Sequence, residues 1–241
     1  HQYPRAQFLL GECWLNGYGV EKDVAKAAEY FQAAAEQGYS QAQFNLGWCF
    51  EHGIGVAQDA EKAVELYRQS AEQGHAPAQC NVGYCYYAGI GVKEDNKEAV
   101  KWFKLAADQN HPRAQFLLGE CFENGYGVEQ DEEKALEMYR QSAGQGFSAE
   151  QSRLGVFYYD GIAVEKDYSE AVKWFELAAE QGSISARHNL GKCYEFGRGV
   201  EQDYSQAAKH YHLSAEQGYA PSQVDLAVFY ENGWVVEESL E

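Results

Sequence analysis

The groups that could do chemistry in this 241-residue chain are six cysteines, seven histidines and 37 acidic side chains. Their spacing tells against most reactions. A structural or catalytic zinc needs clustered ligands, and the chain has no His-Glu-x-x-His and no Cys-x-x-Cys. His210 and His212 stand two apart on a helix and cannot share a face. Nucleophilic catalysis lacks its signatures: Gly-x-Ser-x-Gly, Ser-x-x-Lys and the phosphate loop are all missing. Gly-x-Gly recurs, but without the third glycine and the preceding strand of a dinucleotide site, so it reads as a helix end and a tight turn. No pair of carboxylates has a reason to act as acid and base. The sequence therefore predicts no catalytic residues, no metal, no cofactor and no small-molecule substrate.

The cysteines point the same way. Cys13, Cys49, Cys85, Cys121 and Cys193 fall in one slot of a 36-residue period, with Cys80 apart. Equivalent residues of stacked helices lie about 8–10 Å apart, beyond the roughly 7 Å that a disulfide spans. They read as reduced, small, buried hydrophobes. That state slightly favours a cytoplasmic setting, but the compartment stays unassigned, since a piece of a longer protein can have lost its targeting signal.

The elements that position these residues follow from the period. Gly47 recurs as Gly11, Gly83, Gly119, Gly155 and Gly191, each 36 residues from the next. Gly-x-Gly-Val follows in step at Gly17, Gly53, Gly89, Gly125 and Gly197, and an aspartate comes three residues after each valine: Asp23, Asp59, Asp95, Asp131 and Asp203. The fifth unit varies this as Gly161-Ile162-Ala163-Val164, then Asp167. A fixed period of this length is the mark of stacked repeats. In the unit from Ser40 to Gly74, Ala42, Leu46, Cys49 and Phe50 share one side at helical spacing. Gly53 ends that helix in a left-handed conformation. Asp59 caps a second helix, whose apolar side is Ala63, Leu66, Tyr67, Ser70 and Ala71. Pro4, Pro77, Pro112 and Pro221 open first helices, where a missing N–H costs nothing. Glycine inside a helix costs roughly 1 kcal/mol against alanine, so Gly47 and its copies predict a close crossing of the two helices, with Ala63 and Ala71 as the matching small surface.

On Ala42, Leu46, Gly47, Phe50, Gly53, Gly55, Val56, Asp59, Ala63, Tyr67, Ala71 and Gly74, and on their copies, the unit resembles the Sel-one-like repeat, a relative of the tetratricopeptide repeat. The resemblance covers essentially the whole chain. It implies an all-α solenoid, a right-handed superhelix of antiparallel helix pairs with the first helices on the concave face, and a role as an adaptor between proteins. The expected organisation is one solenoid domain over 1–241, with units at 4–39, 40–75, 76–111, 112–147, 148–183 and 184–219 and a partial unit at 220–241. A disulfide-bridged subgroup of this family would place its cysteines at Ala35 and Gln43, and neither is cysteine here.

Units one and four share Pro4 to Cys13 and Pro112 to Cys121 residue for residue, and Ser70, Ser142 and Ser214 alternate with Ala34, Ala106 and Ala178. Growth by block duplication is the expectation. The chain opens inside a repeat without methionine and closes on an incomplete one, Leu240-Glu241 reading as a cloning remnant, so the sequence reads as a piece of a longer protein.

Net charge is −18. The acids, such as Glu61, Glu65 and Glu72, gather on the outer side of the second helices as a solvated face. No basic stripe is present to meet phosphates, which disfavours nucleic acid. No apolar run approaches the roughly 20 residues of a membrane span.

One constellation suits recognition. On a helical wheel Gln41, Asn45, Trp48 and His52 fall within about 60° of each other, opposite the core. The equivalents are Pro77, Asn81, Tyr84 and Ala88; Arg113, Leu117, Glu120 and Asn124; Ala149, Arg153, Val156 and Asp160; and Ser185, Asn189, Lys192 and Phe196. Apolar and aromatic surface in a groove marks a binding site, and each recurring asparagine amide can both donate to and accept from a peptide backbone. The sequence thus predicts a scaffold that holds a peptide or helix of another protein on Asn45, Trp48, His52, Asn81, Tyr84, Leu117, Glu120, Arg153, Asn189 and Lys192. The alternative is a spacer within a longer chain, which needs no aromatic stripe.

Overall fold

A computed structural model describes residues 3–234. Among them stand thirteen α-helices and no strand: α1 Pro4–Asn16, α2 Val24–Ala35, α3 Ser40–His52, α4 Ala60–Glu72, α5 Ala76–Ala88, α6 Asn96–Ala107, α7 Pro112–Asn124, α8 Glu132–Ala143, α9 Ser148–Asp160, α10 Tyr168–Glu180, α11 Ile184–Phe196, α12 Tyr204–Ala215 and α13 Ala220–Glu231. Odd numbers are first helices and even numbers second helices. The terminal stretch with Val235 and Leu240-Glu241 lies outside the described residues.

The chain divides into two compact units, residues 1–130 and 131–241. In the first, the pairs α1/α2, α3/α4 and α5/α6 pack in succession and α7 follows on α6. In the second, α8 packs on α9, then come the pairs α9/α10 and α11/α12, and α13 closes on α12. Each core is a column of buried side chains, Phe31, Leu46, Tyr67 and Phe103 in the first unit and Leu154, Phe175, Leu190 and Tyr211 in the second. Each such side chain contributes about 1.5–3 kcal/mol by leaving water.

Local chemistry sets the helix ends as the sequence predicts. Gly53 sits at φ 68° and donates its N–H to the Cys49 carbonyl, the left-handed closure that spares a Cβ penalty. Asp59 then ties the loop at both ends. Its N–H donates to the Phe50 carbonyl at 2.9 Å, and its carboxylate accepts from the Lys62 N–H at 3.0 Å. Asp95 accepts from two, Lys97 and Glu98.

The repeated helix glycine is explained by a ring rather than by alanines alone. A Cβ on Gly47 would stand 2.9 Å from the Tyr67 ring and 3.1 Å from the Ala63 carbonyl. The second loop glycine has a cause that periodicity did not reveal. Gly91 has φ 66°, and a Cβ there would fall 2.3 Å from the Ala60 carbonyl of the preceding unit's second helix.

Glutamines stitch the repeats. Gln79 Nε2 donates to the Ala71 carbonyl of the preceding second helix at 3.1 Å. Its Oε1 accepts from Gln109 Nε2 at 2.7 Å. Gln43 and Gln73 repeat that pairing at 2.7 Å. The buried amides of Gln43 and Gln79 are thereby satisfied, as burial demands.

Candidate functional site

The stripe residues of the first unit sit on three helices whose axes are set by the caps above. Trp48 and His52 come from α3, Asn81 and Tyr84 from α5, and Arg113 from the first turn of α7. Together with Glu51 and Cys85 they line an open depression of about 240 Å³.

At one end the His52 ring lies 5.0 Å from that of Trp48, with its Nδ1 3.0 Å from the Trp48 carbonyl. At the other, the Arg113 guanidinium lies over the Tyr84 ring at 4.9 Å, a favourable cation–π distance. Tyr84 also neighbours Tyr87 at 6.4 Å, and Tyr87 neighbours Tyr126 at 6.0 Å. The floor carries a buried phenol: Tyr67 donates to Glu51 Oε2 at 2.5 Å. Burial, then the Glu51 carboxylate beside it, pushes the Tyr67 hydroxyl far above its ordinary range, with Asn81 bonding to it in the opposite sense. The phenol is therefore a fixed donor that orients Glu51.

Asn45, Trp48, Asn81 and Tyr84 are half-buried, and His52 is exposed. Asn45 makes no hydrogen bond to protein among the described residues, so its amide is available to a ligand. Trp48 does more than face the groove. It packs against the apolar clusters of two successive repeats, so its truncation costs stability as well as any binding. Leu117, placed on the stripe by the wheel, is only 8% exposed, so it offers a ligand little surface. Glu120 is half-exposed.

In the second unit Arg153, Asn189 and Lys192 are half-buried. Lys192 Nζ lies 5.7 Å from the Tyr159 ring. Arg198, which sequence reasoning passed over, donates to the Tyr159 hydroxyl at 2.5 Å and stacks 5.3 Å from the same ring. Arg153 lies 5.9 Å from the Phe157 ring.

The cysteines carry no disulfide. Burial pushes the thiols of Cys49 and Cys80 up to about 11 and those of Cys85, Cys121 and Cys193 to about 12. Cys13 alone is half-exposed. Among the described residues no three His, Cys, Asp or Glu side chains gather as a metal would require, and no helix is long and apolar enough to cross a membrane.

The pairing of Tyr67 with Glu51 had a legible signal. Tyr67, Tyr139 and Tyr211 alternate with Phe31, Phe103 and Phe175. In step, Glu51, Glu123 and Glu195 alternate with Leu15, Tyr87 and Tyr159. The hydroxyl and its acceptor appear together, and Tyr211 donates to Glu195 at 2.6 Å just as Tyr67 does to Glu51.

The family model described as Sel1 repeat matches residues 4–39, 40–75, 76–111, 112–147, 151–183, 184–219 and 220–240. The chain belongs to the Sel1 repeat family. Its fold class is the all-α repeat superhelix of that family. Sel1 repeat proteins generally serve as protein-interaction scaffolds, and their helical repeat fold is non-catalytic. The chain is 37% identical to a protective antigen of uropathogenic Escherichia coli strains that displays this repeat fold, with a TM-score of 0.89 over 98% of this chain and 50% of that one. It thus spans half the length of that relative. It is 33% identical to a Sel1 repeat protein from Oxalobacter formigenes, TM-score 0.80, over 88% of this chain and 85% of that one. An immunity protein from Pseudomonas aeruginosa shares the fold at 22% identity and TM-score 0.53, over 88% of this chain and 81% of that one. No curated protein sequence matches the chain.

Proposed function

We propose that this Sel1 repeat protein is a scaffold that holds a peptide or helical segment of another protein on the face formed by its first helices. In the first unit the contacting groups are Asn45, Trp48, His52, Asn81, Tyr84 and Glu120; in the second they are Arg153, Asn189 and Lys192. The observation that carries this reading is the depression between α3, α5 and α7, where two aromatic rings and an amide stand half-exposed around an ordered floor. Aromatic anchors in such a setting supply most of the energy of protein–protein contacts, and amides beside them fix the register of a bound main chain. A spacer would have no use for this lining.

Selection of random 12-residue peptides against the whole protein tests the reading. Peptides that bind through the groove lose about tenfold or more in affinity on Tyr84→Ala, while Glu61→Gln on the outer face of α4 changes little. Tyr84 is the better probe than Trp48, whose ring also packs between repeats. Selected peptides that ignore Tyr84 and Asn81 but depend on the outer glutamates overturn the proposal, and failure of every peptide to bind favours the spacer.

A further inference from the structure

Five lysines pair with carboxylates, Lys26–Asp23, Lys62–Asp59, Lys101–Glu98, Lys134–Asp131 and Lys173–Glu170, and all five lie on second helices at i,i+3. Arg113, Lys192 and Arg198 do not share this arrangement. Arg113 meets no carboxylate among the described residues although acids outnumber bases 37 to 19; its guanidinium rests on the face of Tyr84. That contact makes no hydrogen bond, and the guanidinium N–H groups meet no protein acceptor among the described residues. Packing does not require arginine there, because the same slot holds Gln41, Pro77, Ala149 and Ser185 in other repeats. The acid that lines the same depression is already engaged, Glu51 accepting from Tyr67 at 2.5 Å and standing 3.9 Å from His52 Nδ1. In the second unit two cations meet at one ring, Arg198 also donating to its hydroxyl. Lys192 and Arg198 converge on the Tyr159 ring at 5.7 and 5.3 Å, and neither meets a carboxylate among the described residues.

We infer that the groove takes an acidic partner segment, in which an Asp or Glu side chain docks on the guanidinium N–H groups of Arg113 beside an apolar side chain laid on Trp48 and Tyr84. Guanidinium and carboxylate match in a fork-to-fork geometry that a lysine cannot reproduce. An aromatic ring that already orients the cation lowers the entropy lost on docking. The net charge of −18 opposes an acidic ligand at long range, but at about 0.15 M salt that field is screened beyond roughly 8 Å and contact chemistry decides. The inference rests on the groove-binding reading above and names the class of partner that reading left open.

The test is fluorescence anisotropy with labelled, N-acetylated and C-amidated 12-residue peptides in three series. All share Leu and Phe anchors, and the remaining charged positions are Glu, Gln or Lys. The expected order of affinity at 150 mM salt is Glu above Gln above Lys. Arg113→Gln lowers affinity for the Glu series about tenfold, leaves the Gln series unchanged and so abolishes discrimination between them, while Arg113→Lys restores only part. A circular dichroism spectrum unchanged in Arg113→Gln establishes that the fold is intact, as the exposure of this side chain predicts. A Lys series that binds tightest, a Glu series indifferent to Arg113, or binding that appears only when the peptide C-terminus is left as a free carboxylate overturns the inference. Equal, Tyr84-dependent binding of the Glu and Gln series sinks this inference alone. Absence of any Tyr84-dependent binding sinks the groove reading with it.

Discussion

Gly83 in α5 faces the Phe103 ring of α6, and replacing it by alanine sets two effects against each other. Helix propensity favours alanine by roughly 1 kcal/mol. The new Cβ, however, would stand 2.6 Å from both Cδ1 and Cε1 of Phe103 and 3.1 Å from the Ala99 carbonyl. Carbon atoms in contact prefer about 3.5–4.0 Å, so the ring must retreat by about 1 Å. Phe103 is fully buried and the carbonyl belongs to the same helix, so neither can move without separating α5 from α6. Overpacking of this kind costs about 1–3 kcal/mol. The upper half of that range applies, because ring and backbone are both blocked, and Gly83→Ala loses about 1–2 kcal/mol net. The control is Gly144, the C-cap of α8 with right-handed backbone. Its Cβ would meet nothing closer than 3.5 Å, so Gly144→Ala gains about 0.4–1 kcal/mol. Urea unfolding followed by circular dichroism reads both midpoints. A Gly83→Ala midpoint at or above wild type refutes the ring-on-glycine account, whatever Gly144→Ala does.

Three further outcomes are expected. Asp95→Ala and Asp203→Ala each remove a carboxylate that accepts from two backbone N–H groups and lower stability by about 0.5–2 kcal/mol, while unchanged urea midpoints in both would refute the capping role. Glu150 occupies the buried slot of Ala42, Ala78 and Ala114, and burial pushes its carboxyl up. The folded state thus favours the neutral acid, and its contribution is full below the ordinary value near 4.3 and lost as pH rises through the raised one. Glu150→Gln therefore raises the melting temperature at pH 7.5 and much less at pH 4, and a gain independent of pH contradicts this. Timed alkylation followed by intact mass should modify Cys13 first and the five buried thiols only on unfolding, and equal rates at all six would show that the slot is open.

How much of this was legible in the sequence depended on whether a feature repeats. Gly53, Asp59 and Pro77 recur at fixed offsets and act through local backbone geometry, so the period alone placed the helices, the glycines that close first helices and the aspartates that cap second helices, but not the caps His111 and Ser183. The cause of Gly47 was half-read: the close approach was predicted, but its agent is the Tyr67 ring, which a sequence cannot orient. The Tyr67 and Glu51 pair was written in the 72-residue alternation of two slots, which shows only when both columns are read together. Leu117 shares the slot of Asn45 and Asn81 yet is only 8% exposed, because a helical wheel gives a direction and not how much of a side chain its neighbours cover. Arg113 on Tyr84 was hidden because it depends on the offset between neighbouring first helices, which no spacing within one helix encodes. The division at residues 130 and 131 leaves no mark, since the loop from Gly125 to Asp131 keeps the repeat pattern.

The most direct test of the scaffold claim is calorimetric titration of the strongest selected peptide into wild type, Tyr84→Ala, Asn81→Ala and Glu61→Gln, each with an unchanged circular dichroism spectrum. The account predicts about tenfold or greater weakening for Tyr84→Ala, a smaller loss for Asn81→Ala, and a wild-type isotherm for Glu61→Gln. Wild-type affinity in both groove variants, with the loss appearing instead in Glu61→Gln, contradicts it.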